Sequence, residues 1–186
     1  MLTLISPAKS LDLESPTPAH HAIVPRLLDQ TAKLAEIMSS KSVTELRKLM
    51  NVSEEIATLN VERYRDFQPG TPVNARPAGV TFDGAVYRGM DPQSFTTRDW
   101  TEAQKTLRIL SGLYGVLRPL DRIQPYRLEM GTALHTDRGT TVASWWGNRI
   151  VNLVETDLEE SPGPQVVVNL ASAEYFQAVE GIDAKV

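Results

Sequence analysis

The amino-acid sequence predicts an α/β (α+β) protein built on a small mixed sheet, with surrounding helices and a helical hairpin. Two short apolar runs, LTLI at 2–5 and VVVNL at 166–170, are typical of buried strands, and the second is typical of a strand covered on both faces. Segments with helical periodicity and clear capping residues separate these runs along the chain. Since 186 residues are enough to bury one core, we expect a single domain over 1–186.

The last residues, GIDAKV, indicate that this domain is incomplete at the C-terminus. A helix closes at Gly181, and IDAKV is typical of the approach to a further strand. We therefore expect an uncovered sheet edge or an apolar patch near Val166–Leu170.

Local patterns predict the remaining elements. Gly79–Phe82 alternates apolar and polar residues like a strand, and 114–117 gives a weaker strand signal. Apolar residues recur at helical spacing in five segments: 25–38, 42–50, 53–66, 99–110 and 144–158. Pro25 suits a first helical position, and Ser144 suits the cap of the last of these helices. A further helix begins with Ser172 as its cap.

Two of these helices form the hairpin, which we place at 42–66 as an insertion in the domain. Ser42 and Glu45 make a capping box, Ser53 caps the second helix, and only a tight break at Asn51 separates the two helices. A helix-hairpin-helix of this kind can bind phosphate through the free N–H groups at a helix N-terminus, or it can serve packing alone. The turn between the two helices contains no glycine, which weakens the hypothesis that the hairpin binds DNA.

Composition excludes several kinds of site. There is no cysteine, which rules out a disulfide framework, thiolate metal ligands and a thiol nucleophile. His20, His21 and His135 lack the i, i+4 spacing of a helical metal pair, so we expect no metal and no cofactor. His20 and His21 lie between two prolines and are expected in a solvated loop.

The sequence also bears on localisation. Its N-terminus, MLTLISPAKSL, has no basic lead, and no later apolar run approaches the 18 residues typical of a membrane span. We therefore expect a cytoplasmic protein that does not partner a membrane.

Charge is distributed unevenly along the chain. The formal net charge is −4, yet residues 98–149 carry eight Lys/Arg against five Asp/Glu, while residues 150–186 carry one against seven. Binding of an anion depends on local potential, so the basic middle is the place to look for a phosphate site.

Two strand ends carry similar polar residues. LTLI runs into Ser6 and Lys9, and VVVNL runs into Ser172 and Glu174. Ligands of open α/β sheets bind at the carboxyl ends of strands. We therefore expect these four residues to share one cleft, although a lone lysine such as Lys9 is more often a solvated surface residue.

The segment 109–131, ILSGLYGVLRPLDRIQPYRLEMG, supplies the other wall of this cleft. Gly112 is expected to end the preceding helix, whereas Gly115 indicates a bend or a close backbone approach. The predicted anion-binding residues of this region are Arg108, Arg118, Arg122 and Arg127, since a guanidinium matches phosphate oxygens. Tyr114 and Tyr126 offer faces for stacking a base.

Two alternatives remain open for this segment. The arginines could instead pin a long loop by pairing with Asp121, Glu129 and Asp137. A catalytic interpretation would use Asp121, Glu129 or Glu174 as acid or base, but no spacing demands it.

Four stretches together resemble the bacterial YaaA family of peroxide-stress proteins. They are ISPAKSLD, LSGLYGVLRPLDRIQPYRLEMG, WWGN and VVNLASAEYF, and they occur in this order from the N-terminus to about Phe176. Family members continue well beyond the length of this chain, through further strands and a basic segment.

The resemblance implies a cytosolic protein that limits oxidative damage to DNA and protein and keeps free iron low. It also implies an unusual α/β fold with a helical hairpin and a positively charged cleft, for which DNA binding is proposed. It brings no established catalytic mechanism. Two further hypotheses remain: an enzyme acting on a nucleotide or another phosphorylated small molecule in the same cleft, and an interaction module in which the loop is structural.

Overall fold

A computed structural model of the chain describes residues 1–18, 23–70 and 72–186. The expected solvated loop at His20 and His21 lies outside the described residues. Within them, no helix combines the length and the apolar character needed to cross a membrane.

The described chain contains eight strands, most of them short: β1 (Leu2–Ile5), β2 (Ser10–Leu11), β3 (Arg76–Pro77), β4 (Phe82–Asp83), β5 (Leu107–Ser111), β6 (Gly115–Leu117), β7 (Arg122–Ile123) and β8 (Val167–Asn169). Four of them form the central sheet in the order β6-β5-β1-β8. Strand β1 is parallel to both β5 and β8, whereas β6 is antiparallel to β5. The predicted small mixed sheet is confirmed.

Nine helices surround this sheet in the described chain: α1 (Leu28–Ser39), α2 (Val43–Met50), α3 (Glu54–Arg65), α4 (Ala78–Thr81), α5 (Ala85–Met90), α6 (Thr97–Thr106), α7 (Val142–Trp146), α8 (Arg149–Glu160) and α9 (Ala173–Phe176). Short 3-10 turns at Pro92–Ser94 and Gln177–Val179 follow α5 and α9. The α/β (α+β) fold class follows from this mixture.

The hairpin forms as its capping residues predict. The Ser42 hydroxyl accepts a hydrogen bond from the Glu45 amide, and the Glu45 carboxylate accepts one from the Ser42 amide at 2.8 Å. Asn51 then turns the chain in the left-handed conformation, and Ser53 caps α3 by accepting from the amide of Ile56. Both helices bury an apolar face, which includes Leu46 and Ala57.

The predicted helix over 99–110 is wrong at its end. Helix α6 stops at Thr106, and Leu107 opens the central strand β5. The helical spacing of the leucines was misleading because Ile109 and Leu110 are buried on both sides of a strand at the sheet centre. The expected strand at Gly79–Phe82 is wrong in the opposite sense, since helix α4 occupies most of it.

The interpretation of Gly112 as a helix stop is wrong as well. It follows a strand, and a Cβ at this position would overlap the backbone carbonyl oxygen of Leu128. Gly112 is therefore required by close packing of two backbone segments. At Gly115 the expected close approach is confirmed: its φ is +74°, and a Cβ would lie 2.9 Å from Cδ1 of Leu27.

Two helix starts also differ from prediction. Helix α1 begins at Leu28 rather than at Pro25. The predicted single helix from Ser144 is two helices separated at Gly147, whose φ is +50°. Thr141, not Ser144, caps the first of them by accepting a hydrogen bond from the Ser144 amide at 3.1 Å.

One large core joins the sheet to the helices. Its largest fully buried side chains include Trp146, Tyr114, Leu4, Ile109 and Leu117. The indole N–H of Trp146 donates to the carbonyl of Gly112 at 2.8 Å, which ties α7 to the segment between β5 and β6.

Strand β8 lies at one edge of the sheet. Val167 is buried, but Val168 is 36% and Leu170 is 62% exposed. The expectation of a strand covered on both faces is therefore wrong. The expected exposure of apolar residues near Val166–Leu170 is confirmed. On its outer side β8 meets Lys185 through an isolated parallel bridge, in which the Val167 amide donates to the Lys185 carbonyl at 2.8 Å.

Candidate anion-binding cleft

A cleft of about 210 Å³ lies at the carboxyl ends of β1 and β8. Its walls come from three separate segments of the chain: the loop Ser6–Lys9 after β1, the turn from Ser172 to Tyr175 after β8, and Tyr126–Glu129. The structure thus brings together seven of the residues predicted from sequence: Ser6, Lys9, Tyr126, Arg127, Glu129, Ser172 and Glu174.

Parallel pairing of β1 with β8 explains why two of these segments meet. Leu4 pairs with Asn169, so the chain leaves both strands at the same sheet edge. Ser6 and Ser172 then join directly: the Ser172 amide donates to Oγ of Ser6 at 2.9 Å, and the Ser6 hydroxyl donates to Oγ of Ser172 at 3.3 Å.

Two cations converge in the cleft on a single oxygen atom. Nζ of Lys9 lies 3.0 Å from Oε1 of Glu129, and an Nη atom of Arg127 lies 3.3 Å from the same oxygen. Lys9 is largely exposed, whereas Arg127 and Glu129 are mostly covered. The cleft therefore holds an anion, the Glu129 carboxylate, between two positive charges.

A second carboxylate also lines the cleft. Glu174 accepts a hydrogen bond from the amide of Gly131 at 3.1 Å, which fixes the end of the 126–131 segment. A Cβ at Gly131 would lie 3.1 Å from Oε1 of Glu174. With Lys9 and Arg127 opposed by Glu129 and Glu174, the cleft has no net formal charge.

Tyrosines close the inner side of the cleft. Tyr126 and Tyr175 are 5% and 8% exposed, and the Tyr126 hydroxyl lies 2.6 Å from Oγ of Ser111. Burial raises the pKa of both phenols, and the nearby carboxylates of Glu174 and Glu129 raise the pKa of Tyr175 further. Both hydroxyls are therefore neutral at physiological pH.

The cleft wall is attached to the helical hairpin. The hydroxyl of Tyr64, on α3, donates to the backbone carbonyl of Arg127 at 2.8 Å. This partly buried contact connects the hairpin to the backbone of the cleft wall.

Comparison with known proteins identifies the family. A family model described as peroxide stress protein YaaA matches residues 1–186. The chain belongs to the YaaA peroxide-stress family. UPF0246 proteins of Idiomarina loihiensis and Alcanivorax borkumensis are each 48% identical to it over 181 residues, which cover 97% of this chain and 70% of each relative. A UPF0246 protein of Delftia acidovorans is 47% identical over 184 residues, with the same coverage.

The structure of this YaaA-family chain does not bring Arg108 to the cleft. Arg108 lies in β5, where Nε donates to Oδ2 of Asp157 at 2.6 Å. Arg26 binds the same carboxylate through both Nη atoms. Arg108 and Asp157 are buried and Arg26 is half-buried. The expectation that Arg108 lines the anion-binding cleft is therefore corrected: Arg108 pairs with a carboxylate in the core.

Arg118, Arg122 and Asp121 also lie outside the cleft. The Asp121 carboxylate accepts a hydrogen bond from the Arg118 amide at 2.8 Å and so closes the turn before β7. Burial raises the pKa of Asp121, and the hydrogen bond from Arg118 opposes this shift. Arg122 donates to the carbonyl of Ala75 at 3.1 Å. These three residues hold the long loop in place.

The two tyrosine faces expected to stack a base are not open. Tyr114 is 1% exposed, and its ring packs edge-on against Tyr126 with centroids 5.5 Å apart. Sequence reasoning missed Tyr175, which lines the cleft beside Glu174. It also missed a neighbouring cavity of about 340 Å³ on the other side of the Ser6–Lys9 loop, where the Tyr87 hydroxyl donates to the carbonyl of Ser6 at 2.9 Å. No local pattern distinguishes these tyrosines from other core aromatics.

The described residues contain no group of three or more His, Asp and Glu side chains placed to hold a metal ion. The chemistry of the cleft is that of two cations, two carboxylates, two serine hydroxyls and two tyrosines. These groups can bind an oxyanion and orient it.

Proposed function

We propose that the protein acts in the cell's response to peroxide stress by binding DNA through the cleft. The family supplies the physiological context, and Lys9 and Arg127 supply the groups that bind phosphate. In this proposal the protein works in the cytoplasm, protects DNA and protein from oxidative damage and limits free iron, as the family resemblance implies.

The convergence of Lys9 and Arg127 on one oxygen is the observation that carries this proposal. The two residues come from distant parts of the chain, and each lies within 3.3 Å of Oε1 of Glu129. An arrangement that already holds one carboxylate oxygen is suited to a phosphate oxygen, because both are hydrogen-bond acceptors with negative charge.

In this proposal the hairpin supplies further contacts with DNA phosphates. Arg47 and Lys48 are exposed on α2, and Tyr64 of α3 is bonded to the cleft wall at Arg127. An Nη atom of Arg47 lies 3.7 Å from an Oε atom of Glu54 in an exposed ion pair, which a phosphate can replace.

The size of the cleft favours this arrangement over burial of a whole nucleotide. Its volume of about 210 Å³ is below the range of about 300–1,000 Å³ that drug-sized ligands occupy. A phosphate group fits, and the rest of the nucleic acid remains outside.

Salt dependence of binding tests the proposal. The affinity for duplex and branched DNA should fall with salt on a log–log plot with a slope of about −0.9 per phosphate contact. Lys9→Ala and Arg127→Ala should each weaken binding and make this slope shallower by about 1. Lys105→Ala is the matched control, because Lys105 is an exposed cation on α6 outside the cleft. A slope near zero, or equal binding by all three variants, would refute the proposal.

A second candidate function is an enzyme acting on a nucleotide or another phosphorylated small molecule. The observation that favours it is the position of Glu174, which lines the same cleft as Lys9 and Arg127 and is oriented by the Gly131 amide. Nucleoside phosphates should then be turned over by the wild type, and Glu174→Gln should lower turnover without weakening binding. Binding without any product would rule this candidate out.

A further inference from the structure

We infer that the cleft takes a terminal phosphate, the phosphomonoester at the end of a nucleic acid strand, and that this phosphate displaces the carboxylate of Glu129. The inference rests on the proposed function and names the part of the DNA that enters the cleft.

The first step of the argument is the position of the Glu129 carboxylate. Its Oε1 is the point where the charges of Lys9 and Arg127 meet, at 3.0 and 3.3 Å. Any oxyanion that uses both cations must take this place. Glu129 is itself partly exposed and Lys9 is largely exposed, so the carboxylate can turn toward water when a ligand enters.

Charge then distinguishes the two kinds of phosphate. An internal phosphodiester carries one negative charge, so exchanging it for the Glu129 carboxylate adds no charge between the cations. A phosphomonoester carries about 1.5 to 2 negative charges at neutral pH. Only the terminal group therefore gains electrostatic energy from the exchange.

The shape of the cleft leads to the same choice. Tyr126 and Tyr175 close its inner side, and its volume is about 210 Å³. This small space admits a phosphate group. A strand end presents that group without a second stretch of backbone that continues past it, so an end fits more easily than an internal phosphate.

A further donor lines the cleft for the extra oxygens. The exposed hydroxyl of Ser172 accepts a hydrogen bond from Ser6 and keeps its own proton for a ligand. Together with Lys9 and the Nη atoms of Arg127, it offers the three terminal oxygens of a phosphomonoester more partners than the two free oxygens of a phosphodiester can use.

Matched oligonucleotides test the inference. Fluorescence anisotropy at one fixed salt concentration would compare a labelled strand carrying a 5′-phosphate or a 3′-phosphate with the same strand ending in hydroxyls. We expect the phosphorylated strand to bind about tenfold more tightly or better, which corresponds to one charge-assisted hydrogen bond. Arg127→Ala should remove this preference.

Glu129→Gln tests the displacement itself. This variant lacks the competing negative charge, so it should bind the strand with hydroxyl ends more tightly than the wild type does. The ratio of affinities between the phosphorylated and the hydroxyl-ended strand should therefore become smaller. Glu102→Gln is the control, because Glu102 is an exposed acid paired with Lys105 outside the cleft. An unchanged preference in Glu129→Gln would contradict the displacement.

The outcomes separate this inference from the proposed function. Equal affinity for phosphorylated and hydroxyl-ended strands, with both weakened by Lys9→Ala, would overturn the inference and leave DNA binding intact. No binding of any strand would overturn both. A free nucleoside monophosphate that binds as tightly as the phosphorylated strand would support the phosphate site but overturn the strand end as its source.

Discussion

Tyr64 donates a hydrogen bond to the backbone carbonyl of Arg127 at 2.8 Å, although 63 positions separate the two residues in the chain. The first belongs to the helical hairpin, and the second lies in the wall of the candidate cleft. A single hydroxyl group therefore links the position of the hairpin to that of one of the two cations in the cleft.

Removing this hydroxyl should loosen the link. Tyr64→Phe leaves the Arg127 carbonyl without its donor in a covered position, so the free energy of unfolding should fall by about 1–3 kcal/mol. Chemical denaturation measures the change. Thr58→Ala on the same helix is the control, since Thr58 is exposed and bonds only to its own helix, at the carbonyl of Glu54. A variant as stable as the wild type would show that the hydrogen bond contributes nothing.

Gly112 should tolerate no side chain. In Gly112→Ala the new Cβ would overlap the carbonyl of Leu128, and overpacking of this kind costs about 1–3 kcal/mol or more. Because Leu128 lines the cleft, DNA binding should weaken as well. Thermal unfolding and anisotropy measure the two effects.

Gly89→Ala provides the contrast to Gly112→Ala. Gly89 lies in α5, and a Cβ added there would meet no other atom within 4 Å, so alanine should be neutral or should stabilise the helix by up to about 1 kcal/mol. Equal losses in the two variants would mean that close packing is not the reason for glycine at 112.

Asp157 should be essential for stability. Its buried carboxylate is shared by Arg108 and Arg26, and removing one partner of a buried ion pair costs about 3–5 kcal/mol. Asp157→Ala should therefore unfold far more readily than Glu102→Ala, which removes an exposed pair with Lys105. Denaturant midpoints of the two variants give the comparison, and similar midpoints would contradict it.

The same carboxylate should make stability sensitive to acid. Burial by itself raises the pKa of Asp157, but the hydrogen bonds and charges of Arg26 and Arg108 outweigh it, so its pKa lies below the usual 3.8. Because the folded-state pKa is lowered, the stabilisation is complete above the unfolded-state pKa and is lost as the pH falls through the folded-state pKa. Stability should thus fall below about pH 4 in the wild type and fall less steeply in Asp157→Asn. If the free energy of unfolding of the wild type and of Asp157→Asn fell equally with pH over this range, another group would control acid unfolding.

Short-range signals predicted much of the fold. The capping box at Ser42 and Glu45 and the cap at Ser53 placed the hairpin correctly, because both depend on residues within one helical turn. The apolar run at Leu2–Ile5 predicted β1 with its observed bounds. The segment Leu107–Leu110 was predicted as the end of a helix but forms a strand, because a strand at the centre of a sheet and the apolar face of a helix contain the same residue types.

The sequence by itself determined the class of fold, the hairpin and the residues that could meet an anion at two strand ends. Only the tertiary structure decided which arginines reach the cleft, since Arg127 lies beside Lys9 while Arg108 turns into the core to meet Asp157. The physical reason is that a guanidinium suits a phosphate and a buried carboxylate equally well. Whether an arginine meets a ligand or a buried carboxylate depends on strand register and on packing between residues far apart in the chain. A local sequence pattern predicts neither the register nor this packing.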